Sequence, residues 1–90
     1  SNPDKNSFKK VVMVEFPRKD VWTMGFVTGE SKDKNELEYY HVIVPTTPNP
    51  TSAFLLFILK TEVRDTDISI DEGIKTIISG GVLTSEYNKI

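Results

Sequence analysis

The first patterned segment of the chain, residues 8–16, is a run of β-branched and large apolar side chains. Val12 and Val14 fall on one face of an extended strand, and Val11 and Met13 fall on the other. Because both faces carry apolar groups, this spacing predicts a buried β-strand.

A turn, a second strand and a charged segment follow. Residues 17–20 begin with a proline and end with Asp20, which tolerates left-handed backbone angles, so they predict a turn. Residues 21–28 place three large apolar side chains on one face and predict a second strand, paired with the first as a hairpin. Residues 29–38 carry charges of both signs and little to bury, which predicts a solvated loop.

Three further strands are predicted on either side of a proline-rich segment. Residues 39–44 alternate between the two faces and predict a third strand. Residues 53–59 are apolar at every position, which predicts a fourth strand buried on both faces in the centre of the sheet. A short edge strand is predicted within residues 62–66, with Val63 pointing inward.

The last third of the chain predicts one helix. Ser69 and Glu72 have the spacing of a capping box, so the helix begins directly after Ser69. An apolar stripe at helical spacing follows at Ile70, Ile74, Ile77 and Ile78. Gly73 allows a close approach to the sheet, and Gly80 suits the left-handed position that ends a helix.

Strands first and a helix last favour an α+β fold. We expect a small, mostly antiparallel sheet of about four to five strands packed against one C-terminal helix, with a barrel-like closure of the sheet as the alternative. The length of 90 residues predicts one domain. We expect this soluble domain over residues 8–84, between a disordered or expression-derived tail at 1–7 and a loose tail at 85–90.

Composition excludes several classes of function. The chain has no cysteine, which excludes disulfides and thiolate chemistry, and its net charge of −2 lacks the basic excess of a nucleic-acid binder. The single histidine, His41, cannot build a zinc site alone, so its expected role is structural. The longest apolar run, residues 53–59, is too short to span a membrane. We therefore expect no catalytic residues, metal or cofactor, and no nucleic-acid partner.

A proline-rich loop is the unusual feature of the sequence and the candidate binding site. Its residues are Pro45, Thr46, Thr47, Pro48, Asn49, Pro50, Thr51 and Ser52. Three prolines in six residues make the connection stiff, because each proline restricts its own backbone. Two interpretations remain open: a preorganised surface for a partner or an anion, and a rigid turn whose hydroxyl groups satisfy nearby backbone groups.

Several segments, taken in their order, resemble the LIKE-COV family of membrane proteins, named for the plant CONTINUOUS VASCULAR RING protein. The segments are Val14–Lys19, Trp22, Gly25–Gly29, Val44–Ser52, Phe54–Phe57 and Ile78–Gly81. The resemblance implies membrane helices upstream of this soluble region and no assigned activity for bacterial members. It also implies a membrane-anchored protein, in bacteria at the inner membrane, with this domain facing the cytoplasm. Asp20 and Ala53 depart from the family pattern, where glycine is usual.

Three hypotheses for function follow. The first is a non-enzymatic protein-interaction or assembly module, with a homo-oligomer or another protein as partner, because exposed strand edges pair readily. The alternative is a regulatory domain that binds a small ligand or an anion through loop 45–52. A hydrolase that uses Ser52 and His41 is the third, and it lacks support because the chain has no nucleophile elbow.

Overall fold

The computed structural model describes residues 7–84, which form five β-strands and one α-helix. The strands are β1 (Lys10–Glu15), β2 (Trp22–Lys32), β3 (Glu38–Pro45), β4 (Ala53–Leu59) and β5 (Arg64–Asp65), and the helix is α1 (Ile70–Ile78). A short 3₁₀ segment, Lys60–Glu62, lies between β4 and β5. The predictions for residues 1–6 and 85–90 lie outside the described residues.

The five strands form one antiparallel sheet in the order β4-β3-β2-β1-β5. Consecutive strands β1 to β4 are neighbours, as expected for a meander of hairpins. The α+β prediction is therefore confirmed. The sheet is open, with β4 and β5 as its two edges, so the closed-barrel alternative is not the structure adopted.

The sheet is strongly curled. In a flat sheet of five strands the two edge strands would lie about 19 Å apart, since neighbouring strands are spaced by about 4.8 Å. The chain passes from the end of β4 to the start of β5 through only Lys60–Val63, and three of those residues are in a compact 3₁₀ turn. This short link draws the two edges toward each other, so the sheet has a convex and a concave face.

The convex face carries the larger side chains of the core, and α1 packs against this face. The convex-face cluster consists of Val11, Met13, Met24, Phe26 and Ile68, all of them buried. Gly73 of α1 is itself buried, and a Cβ there would lie 3.0 Å from Val11 and 3.1 Å from Phe26. The predicted role of Gly73 is thus confirmed, because a larger residue would hold the helix away from the sheet.

The concave face is packed almost entirely by valine. The concave-face cluster consists of Val12, Val14, Val27, Val42 and Val44, with Phe16, Tyr40, Leu56, Ile58 and Val63 packed against it. Its members are nearly inaccessible, because the curl of the sheet and the link to β5 enclose them. The prediction that Val63 points inward is confirmed.

Both ends of α1 lie where the sequence predicts them. The Ser69 hydroxyl accepts from the Glu72 amide and the Glu72 carboxylate accepts from the Ser69 amide, at 3.1 Å each, so the capping box is confirmed. Gly80 has φ 64° and ends the helix, as predicted. Ile78, by contrast, is half exposed, since it lies at the margin of the apolar stripe and turns away from the sheet.

The predicted loop over residues 29–38 was wrong in extent. Strand β2 continues to Lys32 and β3 begins at Glu38, and these two residues pair across the hairpin with opposite charges. The turn is confined to residues 33–37, where the Asp33 carboxylate accepts from the amides of Asn35 and Leu37. Cross-strand pairing therefore stabilises an extension that has few apolar side chains to indicate it.

The predicted central position of β4 was also wrong. Strand β4 lies at an edge of the sheet and pairs only with β3. An all-apolar strand suggests burial on both faces, yet α1 covers the sheet near β1 and leaves β4 uncovered. The uncovered edge is the basis of the candidate site.

Candidate functional site

Strand β4 exposes three large apolar side chains to solvent. Phe54, Leu55 and Phe57 are 60%, 59% and 59% exposed, respectively. Phe54 belongs to the concave face, where its ring lies 5.3 Å from that of Phe16, while Leu55 and Phe57 belong to the convex face. Exposed apolar surface on both faces of one strand is uncommon in monomeric proteins, and large apolar patches of this kind are typical of interaction surfaces.

The backbone of β4 offers unpaired hydrogen-bonding groups along the same edge. The Thr46 amide donates to the Ser52 carbonyl at 2.9 Å, so the backbone groups of residue 52 face β3. In an antiparallel strand these groups alternate in direction from residue to residue. It follows that the amide and carbonyl groups of Ala53, Leu55 and Phe57 face away from β3, toward solvent.

The opposite edge of the sheet is protected. Strand β5 has only two residues, and both are charged: Asp65 forms an ion pair with Lys10, and the Arg64 guanidinium lies 4.2 Å from the centre of the Trp22 ring. Short, charged edges resist pairing with other chains. Strand β4 has seven residues and no charge or proline, so it lacks each of these protections.

A groove of about 580 Å³ lies beside β4 on the convex face. Its floor includes Phe26 and Ile43, the helix contributes Ile74 and Ile77, and Pro50 and Ala53 form part of the wall on the side of the proline loop. The side chain of Ala53 is the smallest along β4 and leaves the groove open toward the free edge. Groove and edge thus form one continuous apolar surface.

The proline loop holds this wall in place through its own threonines. The Thr46 hydroxyl donates to the carbonyl of Asn49 and, at 3.3 Å, to that of Ser52. The Thr47 hydroxyl donates to the carbonyl of Ile77, which ties the loop to the end of α1. These two hydroxyl groups therefore have backbone partners, whereas Pro50, Thr51 and Ser52 line the groove.

The two residues of the hydrolase hypothesis do not meet. Ser52 lies opposite Thr46, the residue that follows β3. Thr46 is five positions from His41, which places Ser52 roughly 16 Å from His41 at the rise of a strand. The His41 ring instead lies beside Ser31, with Nε2 3.0 Å from the hydroxyl oxygen, and its centre is 4.5 Å from that of the Phe57 ring. The histidine thus supports the convex face next to β4.

A cluster of polar side chains covers part of the concave face. Lys10 donates to the Asp65 carboxylate at 2.6 Å and to the Tyr40 hydroxyl at 2.9 Å, and these bonds raise the pKa of Lys10. Lys60 lies 4.9 Å from the centre of the Tyr40 ring, and its hydrogen bond to Glu30 raises the pKa of Lys60. Each lysine has an acidic partner, so we assign the cluster to stabilising the curled sheet rather than to binding.

Neither a metal site nor a membrane span is found in the described part of the chain. No three or more His, Asp or Glu side chains there come together in a way that holds a metal ion. No helix between residues 7 and 84 has the length and apolar character needed to cross a membrane.

Sequence reasoning identified the proline loop but missed the most exposed part of the site. The free edge of β4 and the groove residues on α1 come together only in the folded sheet. One signal was available, since residues 53–59 contain no charged residue or proline of the kind that protects a sheet edge. That signal is ambiguous, because a central strand looks the same.

Comparison with known proteins identifies a family. A family model described as a protein of unknown function, DUF502, matches residues 1–52, which is more than half of the chain. The match includes β1 to β3 and the proline loop. No curated protein and no solved structure matches the chain. The resemblance to the LIKE-COV family stays a prediction.

Proposed function

Because this chain belongs to the DUF502 family, whose function is unknown, we propose a function from the geometry of its own surface. The domain is a non-enzymatic protein-interaction or assembly module, and its binding surface is the free edge of β4. One observation carries the proposal: β4 has outward-facing backbone groups at Ala53, Leu55 and Phe57 together with exposed apolar side chains on both faces.

The proposed binding mode is strand addition. An extended segment of a partner would take the next place in the sheet, where main-chain hydrogen bonds supply affinity and side-chain contacts supply selectivity. Burying a Leu or Phe side chain that was fully exposed stabilises by about 1.5–3 kcal/mol, so three half-exposed side chains support a moderate affinity. The groove beside Ala53 adds a position that accepts one large apolar side chain.

Site-specific photo-crosslinking in cells tests the proposal. A photoreactive phenylalanine analogue replaces Phe57 in the full-length protein, and a matched variant carries it at Leu37, which is 50% exposed but lies in the turn between β2 and β3. We expect a discrete crosslinked protein adduct from position 57 and little from position 37. Equal yields of adduct at the two positions, or none at position 57, would contradict the proposal.

A small ligand is the second candidate, and the groove is the observation that favours it. A volume of about 580 Å³ falls within the range of small-molecule sites, which are mostly apolar with a few polar groups. Thr51 and Ser52 would supply the polar groups. An anion gains no such support, because the hydroxyl groups of Thr46 and Thr47 already donate to backbone carbonyls.

The proposal includes a location at a membrane. Its support is the resemblance of the ordered segments, above all Val44–Ser52, to the LIKE-COV family. Segments outside this chain would then anchor the domain, with the module facing the cytoplasm of a bacterial inner membrane. In fractionated cells the native protein should sediment with membranes and should resist protease added to intact spheroplasts. Recovery in the soluble fraction would refute anchoring, and digestion would refute the cytoplasmic side.

A further inference from the structure

We propose that the strand added to β4 is β4 of a second copy of this chain, in an antiparallel arrangement with Leu55 on the two-fold axis. This inference rests on the proposed function and names its partner. The result is a continuous ten-stranded sheet across two copies.

Strand β4 is suited to pair with itself. In a two-fold interface the same surface serves on both sides, so any charge near the axis would face its own copy. Strand β4 has no charged residue in seven, and every side chain that it presents is apolar. An antiparallel pair of β4 strands therefore brings apolar side chains together on both faces of the sheet.

The direction of the backbone groups limits the register. Residues 53, 55 and 57 face outward, so an axis at Leu55 places the amide and carbonyl of Leu55 opposite the same groups of the second copy. In that register Ala53 stands opposite Phe57 of the second copy, also as a hydrogen-bonded pair. Three pairs of outward-facing residues are then satisfied at once.

Side-chain size selects this register over its neighbour. With the axis at Leu55, the large Phe57 ring of the second copy lies next to the small Ala53 on the convex face, at the open side of the groove. The ring can then enter the groove toward Ile77 and Pro50. With the axis at Leu56, Phe57 would stand opposite Leu55 instead, away from Ala53 and the open side of the groove, so the ring could not enter the groove. The groove is thus completed by the second copy.

The size of the contact predicts a weak dimer. Phenylalanine and leucine side chains of this exposure present on the order of 100 Å² each, so the three of them supply roughly 300 Å² per copy. Backbone and groove surface add to this, which places the interface at or below the low end for specific complexes. We expect association in the micromolar range or weaker, with dissociation on dilution.

Cysteine crosslinking of the purified chain tests both the partner and the register, since the chain has no natural cysteine. In the proposed dimer the Cα atoms of the two copies of residue 55 lie about 5.5 Å apart, within reach of a disulfide. The variant Leu55→Cys should therefore oxidise to a covalent dimer. The exposed control Leu37→Cys should do so at least tenfold more slowly at equal concentration.

Two further cysteine variants test the pairing of residues across the axis. Ala53→Cys and Phe57→Cys should each crosslink poorly alone, because the two copies of either residue are about 14 Å apart. An equimolar mixture of the two should yield the heterodimeric disulfide efficiently.

Phe57→Ala, measured by sedimentation equilibrium, should weaken association of the two copies at least tenfold, while Leu37→Ala should leave it unchanged.

The outcomes separate this inference from the proposed function. A Leu55→Cys chain that crosslinks no faster than the Leu37→Cys control overturns the dimer. Efficient crosslinking through Leu56→Cys instead overturns the register. If the dimer fails while photo-crosslinking at Phe57 captures a different protein, the interaction module stands and its partner is not a second copy. If both experiments fail, the proposed function fails as well.

Discussion

Phe26→Ala is expected to lower the free energy of unfolding by about 3–5 kcal/mol, the usual cost of truncating a buried phenylalanine. Phe26 is 1% exposed and lies at the centre of the convex-face cluster. Its ring contacts the position of Gly73, and its centre lies 5.1 Å from that of Phe8. The substitution removes the surface on which α1 rests and leaves a cavity between helix and sheet.

The size of this effect is large for a domain of 90 residues, whose whole stability is about 5–13 kcal/mol. Urea denaturation followed by circular dichroism at low protein concentration measures it. Phe57→Ala is the matched control, since it removes the same side chain from an exposed position and should change the stability of the monomer by less than about 1 kcal/mol. Equal losses from the two variants would contradict the assignment of the core.

Gly25→Ala is expected to destabilise the protein by about 2–3 kcal/mol, although it adds only one methyl group. A Cβ at position 25 would lie 2.5 Å from Cγ1 of Val42 and 3.2 Å from the carbonyl oxygen of Ile43. Val42 is fully buried in the concave-face cluster and has no space into which to move. The backbone of β2 and β3 would therefore have to separate, which disturbs the tightly curled centre of the sheet.

A double-mutant cycle with Val42→Ala isolates the cause. Val42→Ala alone removes buried apolar atoms and is destabilising, yet it also removes the carbon atom that the new methyl group would strike. We therefore expect the double variant to be more stable than the sum of the two single effects predicts, by at least about 1 kcal/mol. Strict additivity of the two free-energy changes would show that the clash with Val42 is not the source of the loss.

Local signals predicted several features correctly because each depends on neighbours in the sequence. The capping box of Ser69 and Glu72 acts within one helical turn, and the left-handed angle of Asp20 (φ 69°) belongs to a tight turn. The faces of β1 follow from the alternation of side chains along a regular strand. These interactions span only a few residues, so a single sequence suffices to predict them.

The full lengths of β2 and β3 could not be predicted from local sequence signals. Residues 29–32 contain charged and small side chains, which are as common in loops as in strands. Their extended conformation is stabilised by the partner strand, through pairs such as Lys32 with Glu38 and the ion pair of Glu30 with Lys60. Such contacts become visible only when the partner is in place.

Hydrophobic periodicity and turn residues act locally, so the amino-acid sequence alone specifies a small antiparallel sheet with one capped helix. The position of β4 at an edge, with its apolar side chains exposed beside a groove, follows from the order of the strands in the folded sheet. The sequence of β4 is compatible with either position, because an apolar strand gains free energy from burial against any apolar surface. A neighbouring element of the same chain and the surface of a second chain satisfy that requirement equally, and the order of the strands determines which one does.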